Sequence, residues 1–353
     1  MESPRHRGRS WPAALRQLRI IARAVLDERR PLLAHIVPMR RCNLACTYCN
    51  EYDDHSAPVP LDTMLERVKL LAGLRTAAVT ISGGEPLLHP DLDAIIRQIR
   101  DSGMIATLIT NGYKLGPERI KALNAAGLDH LQISIDNLQP DDVSSKSLSV
   151  LDRKLVALAT HARFSVNINC VVGGGIAHPE DALTIAGRAR ELGFQSTMGI
   201  IHDHTGHLKP LSGPVLETYQ AFERLNRWTL ARINRGFQRR LANGQPNEWR
   251  CRAGSRYLYV CEQGLVHYCS QQRGNPAIPL GQYTHAHLRQ AHLEAKPCAP
   301  YCTIACVHQA SSFDEWRSPQ HPPRGRPLPQ YAPGTLAPGD AAVEATAPRA
   351  EAH

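Results

Sequence analysis

The sequence has no long apolar run and no segment with the pattern of an export signal. No stretch of about 18 consecutive apolar residues occurs, which argues against a membrane-spanning helix. The first thirty residues are rich in arginine and lack both the uninterrupted apolar stretch and the cleavage site of a signal peptide. Their apolar residues have amphipathic spacing, so we expect a basic N-terminal helix within residues 1–33. These features predict a cytoplasmic protein that does not bind membranes.

The basic charge of the chain is not gathered into one block. The formal net charge is +9, a sign that suits nucleic acids and other anionic partners. The arginines are nevertheless scattered through every predicted helix, which is typical of solvated helix faces and argues against nucleic-acid binding. A substrate with carboxylates or phosphates would also suit a basic pocket.

Cysteine is abundant and clustered. Of the ten cysteines, three lie within residues 42–49, six lie between residues 251 and 306, and Cys170 stands alone. Without an export signal we expect a reducing compartment, where clustered thiols bind metal more often than they form disulfides. Cys170 lies within an apolar run, and we interpret it as a small buried hydrophobic residue.

Residues 34–202 alternate between short apolar runs and stretches with helical periodicity. Repeated strand–helix units predict a parallel sheet with right-handed crossovers, either a doubly wound plane or a curved partial barrel. In both architectures the active site gathers at the carboxyl ends of the strands. The expected strands cover 34–38, 77–82, 105–110, 130–135, 164–172 and 196–201, and the expected helices cover 61–72, 91–102, 117–126, 148–161 and 179–192.

The remainder of the chain divides into three parts. Residues 203–250 form a connection with a polar loop and one helix of about 25 residues that starts at Pro214. A cysteine-rich region follows over 251–316, and the Pro-, Ala- and Gly-rich tail over 317–353 is expected to be disordered. We interpret the loop as a polar cover over the active site, with metal binding or acid–base chemistry as the alternative for His202, Asp203, His204 and His207.

The first cysteine cluster directly follows the first expected strand. Its spacing is C-x3-C-x2-C, formed by Cys42, Cys46 and Cys49. Three thiolates on one short loop can hold three irons of a cubane cluster, which leaves the fourth iron open to an outside ligand. A structural zinc site needs four ligands, commonly in two pairs, and matches this spacing less well, although His35 or His55 could complete one.

This motif, with Tyr48 before its last cysteine, resembles the signature of the radical S-adenosylmethionine (SAM) superfamily. The segment Gly83-Gly84-Glu85-Pro86, at the end of the second expected strand, is similar to the second signature of that family. The resemblance covers residues 34–202 and implies an α/β fold, a partial (βα)6 TIM-like barrel. It also implies a [4Fe–4S] cluster on Cys42, Cys46 and Cys49, SAM as the ligand of the open iron, and a reductant such as ferredoxin or flavodoxin. The implied reaction is reductive cleavage of SAM to a 5′-deoxyadenosyl radical that abstracts hydrogen from a substrate.

The same resemblance assigns further residues to the cofactor. Glycines at a strand end let backbone approach a ligand closely, and Glu85 can accept hydrogen bonds from the SAM ammonium group. Ser134 and Asp136 look like ribose-contacting positions, with capping of the next segment as the alternative. For Asn111 the alternative is a turn. The expected cofactor-binding residues are Tyr48, Gly83, Gly84, Glu85, Pro86, Asn111, Ser134 and Asp136.

The second cysteine cluster resembles the SPASM or twitch extension, which carries auxiliary [4Fe–4S] clusters in many family members. The resemblance rests on Cys251 and the pattern Gly264-x4-Cys269, and residues 257–260 and 265–268 predict a hairpin. The segment at 298–306 is shorter than in that extension, and helical spacing there would put three thiols near one face. Six cysteines are enough for one four-cysteine cluster, with two cysteines left over. Two clusters would fit only if they had open sites or ligands other than cysteine. Zinc is the alternative metal. The candidate ligands are Cys251, Cys261, Cys269, Cys298, Cys302 and Cys306.

The extension is similar to those of enzymes that modify ribosomally made peptides or proteins. We therefore expect peptide modification, such as crosslinking, oxidation or epimerisation, although no recognisable peptide-binding domain precedes the expected barrel. The first alternative is small-molecule chemistry in cofactor or carbohydrate biosynthesis. A second alternative, from another class, is an iron–sulfur electron-transfer protein without SAM chemistry, and the segment Gly83 to Glu85 argues against it.

Overall fold

The computed structural model describes residues 5–6, 10–173, 175–201, 210–225 and 232–317, with backbone only over 232–235. The predicted polar loop over 202–209 and residues 318–353 of the predicted disordered tail lie outside these residues. None of the described helices is both long and apolar enough to cross a membrane. The helices are α1 Trp11–Leu26, α2 Leu61–Gly73, α3 Leu92–Asp101, α4 Pro117–Ala126, α5 Leu148–His161, α6 Asp181–Glu191, α7 Gly213–Leu225, α8 Arg232–Ala242, α9 His285–Leu293 and α10 Ala305–Ser312. The strands are β1 Leu33–Ile36, β2 Ala78–Ile81, β3 Ile105–Thr110, β4 His130–Ser134, β5 Ser165–Gly173, β6 Gln195–Ile201, β7 Tyr257–Val260, β8 Leu265–His267 and β9 Pro276–Pro279.

The first six strands form an open parallel sheet in chain order, with a helix in each connection. Their order and the intervening helices confirm the prediction of a partial (βα)6 barrel. The ends of the predicted strands and helices over residues 34–202 differ from the observed ones by at most two residues. The crossover geometry places the loops that follow each strand together at the carboxyl edge of the sheet.

The cysteine-rich region continues this sheet. β7 pairs with β1 in parallel, in the register Leu33 with Tyr257 through Ile36 with Val260. β7 and β8 form the predicted antiparallel hairpin, and β9 adds one more antiparallel strand. Sequence patterning did not indicate β9 because Pro276 and Pro279 lack the amide hydrogens of a central strand. The barrel and the extension therefore share one nine-stranded sheet.

The two faces of the strands differ in polarity. In β4, Leu131 and Ile133 belong to the hydrophobic core, whereas His130, Gln132 and Ser134 alternate with them and line the barrel lumen. The inner face of the strand is therefore polar. The outer face is apolar because it packs under the helices.

The predicted single helix after Pro214 is two helices, α7 and α8. Glu223 of α7 forms an ion pair with Arg239 of α8, with 3.1 Å between Oε2 and Nη2. In one straight helix, residues sixteen positions apart would be separated by about 24 Å. Folding the segment back allows both Phe222 and Phe237 to be buried, which one exposed straight helix would not.

The predicted N-terminal helix is present as α1, but its largest apolar residues are not its buried ones. Trp11, Leu18 and Leu26 are 79%, 64% and 73% exposed, whereas Gln17 is buried. The helix is held by polar contacts with Asp129, which is buried immediately before β4. The Asp129 carboxylate accepts hydrogen bonds from the side chains of Arg16, Gln17 and Arg100 and from the amide of Ala106.

We expect Asp129→Ala to lower the free energy of unfolding by about 2–3 kcal/mol, because it leaves two arginines without their buried partner. The figure is at the low end for a buried pair since Arg16 and Arg100 are 30% and 28% exposed. Urea denaturation of the two proteins measures the difference. Glu118→Ala, which removes an exposed carboxylate, is the matched control and should change stability by less than about 0.5 kcal/mol. Equal stability of the two variants would contradict this role of Asp129.

Candidate functional site

The first cysteine loop begins at the carboxyl end of β1, and backbone hydrogen bonds join its two ends. The amide of Cys42 donates to the carbonyl of Asp53 at 2.9 Å, and the amide of Asp53 donates to the carbonyl of Arg40 at 3.0 Å. Inside this closure, the amide of Cys49 donates to the carbonyl of Cys46 at 3.1 Å. All three cysteines are free thiols. The loop therefore presents three thiols from one backbone frame that hydrogen bonds define.

The glycines after β2 pack directly against this loop. The amide of Gly84 donates to the carbonyl of Met39 at 3.1 Å, and the amide of Glu85 donates to the carbonyl of Arg41 at 3.0 Å. A Cβ atom on Gly84 would overlap the carbonyl oxygens of Arg40 and Arg41. Gly83 has φ +110°, and a Cβ there would lie 2.7 Å from the carbonyl oxygen of Met39. Close approach to the cysteine loop thus requires both glycines, whose expected role was close approach to a ligand.

Glu85 fastens the end of β2 to the end of β3. Its side chain is fully buried and accepts hydrogen bonds from the Leu87 amide (2.9 Å), the Thr110 hydroxyl (2.6 Å) and the Asn111 amide (2.8 Å). Burial raises the pKa of Glu85, while the hydrogen bonds from Thr110, Asn111 and Leu87 lower it. Its observed partners are therefore groups of this chain, and contact with a SAM ammonium group stays a prediction. Pro86, the next residue of the motif, is buried as the first residue of a 3₁₀ turn.

Asn111 makes the turn that was considered for it and also reaches the cysteine loop, while its contact with the cofactor stays a prediction. Its Oδ1 accepts a hydrogen bond from the Tyr113 amide at 3.0 Å, which makes the turn after β3. Its Nδ2 donates to Asn43 Oδ1 at 2.9 Å and lies 3.7 Å from the Cys42 sulfur. The turn therefore presents an amide to the cysteine loop.

Tyr48 and Asp136 meet beneath the loop. The Tyr48 hydroxyl donates to Asp136 Oδ2, and Lys146 contacts both the hydroxyl and, at 3.0 Å, the same carboxylate oxygen. The Ser144 hydroxyl donates to Asp136 Oδ2 at 2.7 Å and lies 3.5 Å from the Cys46 sulfur. Burial alone would lower the pKa of Lys146, but the charges of Asp136 and Tyr48 raise it above its ordinary value. Asp136 thus holds the cysteine loop in place through its bonds to Tyr48 and Ser144. Of the two predicted residues Ser134 and Asp136, Ser134 lines the cavity.

A cavity of about 810 Å³ opens between the first cysteine loop and the inner face of the strands. Sequence analysis missed several of its lining residues, among them Glu51, Lys146, Tyr257 and Tyr259. The alternation of polar residues in β4 and β5 was a signal for the inner wall. The aromatic residues of β7 gave none, because only the pairing of β7 with β1 brings them to the barrel.

The donor set of the first loop suits an iron–sulfur cluster. Burial raises the pKa values of Cys42 and Cys49, so these thiols stay protonated until a metal centre displaces the proton. Within the part of the chain that the structure describes, no three His, Cys, Asp or Glu side chains are placed to hold a single metal ion. Three thiols on one loop without a fourth ligand match a cubane with one open corner.

Four of the six cysteines in the extension come together. Burial raises the pKa of Cys302, and the nearby thiols of Cys269, Cys251 and Cys298 raise it further. Burial likewise raises the pKa of Cys251 to about 11, with Cys298 again nearby. Four free thiols near one another, two of them buried and two half-buried, match the ligand set of one complete [4Fe–4S] cluster.

The structure places Cys261 and Cys306 apart from this group. The Cys261 thiol donates to Gln263 Oε1 at 3.1 Å within the hairpin. Cys306 lines the central cavity, where burial raises its pKa to about 11 and a hydrogen bond with Tyr257 opposes that shift. The predicted helical spacing over 298–306 is wrong, since a 3₁₀ turn over Ala299–Tyr301 containing Pro300 separates Cys298 from Cys302, and α10 begins only at Ala305.

Comparison with known protein families finds one match to this part of the chain. The family model described as "Radical SAM superfamily" matches residues 36–207, which span the parallel sheet and the first cysteine loop. The chain is also 28% identical to a GTP 3′,8-cyclase of Synechococcus sp. (strain CC9902), over 65% of this chain and 71% of that protein.

A second relative is a PqqA peptide cyclase of Ruegeria pomeroyi, 40% identical over 29% of this chain and 28% of that protein. The chain thus spans less than half the length of this peptide cyclase. Among solved structures, Streptococcus suis SuiB bound to precursor peptide SuiA superimposes with a TM-score of 0.52 at 18% identity. The match covers 71% of this chain and 63% of that one. At this identity the similarity establishes the fold alone.

We expect Gly84→Ala to prevent assembly of the first cluster, because the added methyl group forces the backbone of Arg40 and Arg41 away from the strand end. After anaerobic reconstitution, iron per chain should fall by about four relative to the unmodified protein. Gly73→Ala is the control, since a Cβ there meets no atom within 4 Å, and it should retain full iron. Full iron in the Gly84 variant would show that the glycine is not needed for the loop.

Proposed function

The chain belongs to the radical SAM superfamily through residues 36–207, and from this premise we propose that it is an enzyme that cleaves SAM reductively and modifies a peptide. The proposal rests on one observation above all. The three thiols of the C-x3-C-x2-C loop are held at the carboxyl edge of a parallel partial barrel, at the mouth of a cavity large enough for SAM and part of a substrate.

The cofactors of the family are a [4Fe–4S] cluster and SAM, and we assign the cluster to Cys42, Cys46 and Cys49. A cluster held there would supply one electron for cleavage of SAM to methionine and the 5′-deoxyadenosyl radical, the species that would abstract hydrogen from the substrate. The protein contributes positioning. The amide of Gly84 binds the backbone of the loop and so fixes its distance from β2. The side-chain amide of Asn111 donates toward the Cys42 sulfur, and the Tyr48 hydroxyl donates to Asp136. Ser134 lines the cavity, and we expect it to contact bound SAM there.

We assign one auxiliary [4Fe–4S] cluster to Cys251, Cys269, Cys298 and Cys302. The support is that Cys302 lies near Cys269, Cys251 and Cys298, which raise its pKa, whereas Cys261 and Cys306 bond elsewhere. Four cysteine ligands leave no open iron, which suits electron transfer more than substrate binding. The source of electrons, expected to be a ferredoxin or flavodoxin, stays a prediction, as does the cytoplasmic location.

A peptide is the preferred substrate. It is supported by the similarity to PqqA peptide cyclases and by the shared fold with SuiB, which was solved with a precursor peptide. The second candidate is a small molecule, favoured by the alignment over 71% of a GTP 3′,8-cyclase. A triphosphate needs cations, and among the described lining residues the one Lys or Arg side chain is Lys146, which already pairs with Asp136.

The proposed reaction predicts SAM cleavage without any added substrate. Anaerobically reconstituted protein with dithionite and SAM should form 5′-deoxyadenosine, which chromatography detects. Cys46→Ala should abolish the product, because the cubane loses one of its three thiolates. The control is Cys170→Ala, which removes a buried thiol of β5 and leaves the loop intact. Absence of 5′-deoxyadenosine from the unmodified, iron-loaded protein would favour an electron carrier.

The assignment of the auxiliary cluster predicts iron contents that separate the six cysteines. The unmodified protein should hold about eight irons per chain, and Cys269→Ala should hold about four. Cys261→Ala and Cys306→Ala should retain about eight, because neither thiol belongs to the group of four. Loss of iron in either of these two variants would refute the assignment, as would zinc at this site.

A further inference from the structure

The inner wall of the partial barrel is polar, although the lumen of a closed barrel is normally filled by branched apolar side chains. Inward-facing residues at neighbouring register positions of β2 to β6 carry hydroxyl or amide groups. Thr80 of β2 pairs with Thr107 of β3, Gln132 of β4 with Asn167 of β5, and Asn169 of β5 with Thr197 of β6. All six line the cavity. We call these six residues the lumen ladder.

The lumen ladder is joined by hydrogen bonds across strands. The hydroxyls of Thr80 and Thr107 are 2.5 Å apart. Asn167 Nδ2 donates to Thr197 Oγ1 at 2.8 Å and to Gln132 Oε1 at 3.3 Å, and the Thr197 hydroxyl donates to Asn169 Oδ1 at 2.9 Å. These bonds fix the positions of the polar groups, as a recognition surface requires.

The ladder has hydrogen-bonding capacity to spare. Among the described residues, Asn167 Oδ1 has no hydrogen-bond partner, and neither do the hydroxyl oxygens of Ser165 and Ser82, which line the same cavity. Buried polar atoms in a folded protein are nearly always paired, so an unpaired set beside a cavity indicates a ligand that supplies partners. The carbonyl oxygen of Asn167 accepts hydrogen bonds, and the two serine hydroxyls both accept and donate, so a ligand that carries both donors and acceptors would satisfy them.

Among the described lining residues, each charged side chain already has a partner. Lys146 pairs with Asp136, Glu51 accepts a hydrogen bond from Tyr259, and Glu223 pairs with Arg239. Two histidines also face the lumen. Burial lowers the pKa of His35 to about 4, which leaves it neutral at pH 7, and His130 bonds to Gln17. A carboxylate or phosphate in the lumen could accept from these hydroxyls, but among the described lining residues the one Lys or Arg is Lys146, which already pairs with Asp136.

We propose that the lumen ladder is the subsite for a neutral side chain of the peptide substrate that bears an amide or hydroxyl group, such as that of Asn, Gln, Ser or Thr. The inference rests on the proposed function and names the substrate class of the same cavity. An amide fits because it donates to the unpaired oxygens and accepts from the ladder without introducing charge. Although the net charge is +9, Lys146 is the one Lys or Arg among the described residues that line this cavity.

The test compares three capped tripeptides as probes. Iron-loaded protein with SAM is titrated calorimetrically under anaerobic conditions with acetyl-Ala-Asn-Ala-amide and its Asp and Lys counterparts, and with GTP. The Asn peptide should bind at least about tenfold more tightly than the charged peptides, since a buried, unmatched polar group costs 1–3 kcal/mol. Asn167→Leu should remove this preference, and Thr197→Val should reduce it. Thr160→Val, which changes an exposed helical hydroxyl on α5, should leave it intact.

Two kinds of result would overturn the inference. One is tighter binding of the Asp peptide, the Lys peptide or GTP, and the other is no binding of the Asn peptide by protein that still forms 5′-deoxyadenosine. In the second case the proposed function stands while the subsite fails. Equal preference in the Asn167→Leu variant and the unmodified protein would also overturn the inference, provided that the variant keeps its full iron content and so has kept its fold.

Discussion

Backbone contact between the cysteine loop and the strand-end glycines is the constraint on which the site depends. The amides of Gly84 and Glu85 donate to the carbonyls of Met39 and Arg41, and no side chain larger than hydrogen fits at position 84. Because Glu85 also binds the Thr110 hydroxyl and the Asn111 amide, the loop after β1 is tied to the ends of β2 and β3. Three thiols on an otherwise irregular segment thereby acquire fixed positions relative to the parallel sheet.

The same sheet joins the cysteine-rich extension to the barrel, so that residues of both line one cavity. The parallel pairing of β7 with β1 brings Tyr257 and Tyr259 to the barrel, and α10 brings Cys306 to the cavity wall. Tyr257 contacts Cys306 and lies near Cys269 of the four-cysteine group, while Tyr259 bonds to Glu51, two residues beyond Cys49. The side chains between the two cysteine groups are thus part of the wall that faces a substrate. A substrate in the lumen would lie between the first loop and the extension.

Sequence patterning predicted the fold closely where local signals and tertiary structure agree. Buried strands and periodic helices over residues 34–202 carry such signals, as does the C-x3-C-x2-C loop. It failed where distant contacts decide. The ion pair of Glu223 and Arg239 folds one apparent helix into two, and Pro300 interrupts the expected spacing of three thiols. The spacing of the cysteines in the sequence could not show that four of them converge while Cys261 bonds within the hairpin. Their arrangement depends on strand pairing between residues more than 200 positions apart.

The register of Leu33 with Tyr257 has a consequence for how such a chain can evolve. An accessory domain joined by a linker can be gained, lost or exchanged by recombination without disturbing the catalytic unit. Here the accessory region supplies β7, the neighbour of β1. Its removal would leave β1 as an edge strand whose unpaired backbone groups could pair with another chain. The extension is therefore a structural part of the barrel sheet, and the two cysteine regions depend on one set of strand pairings.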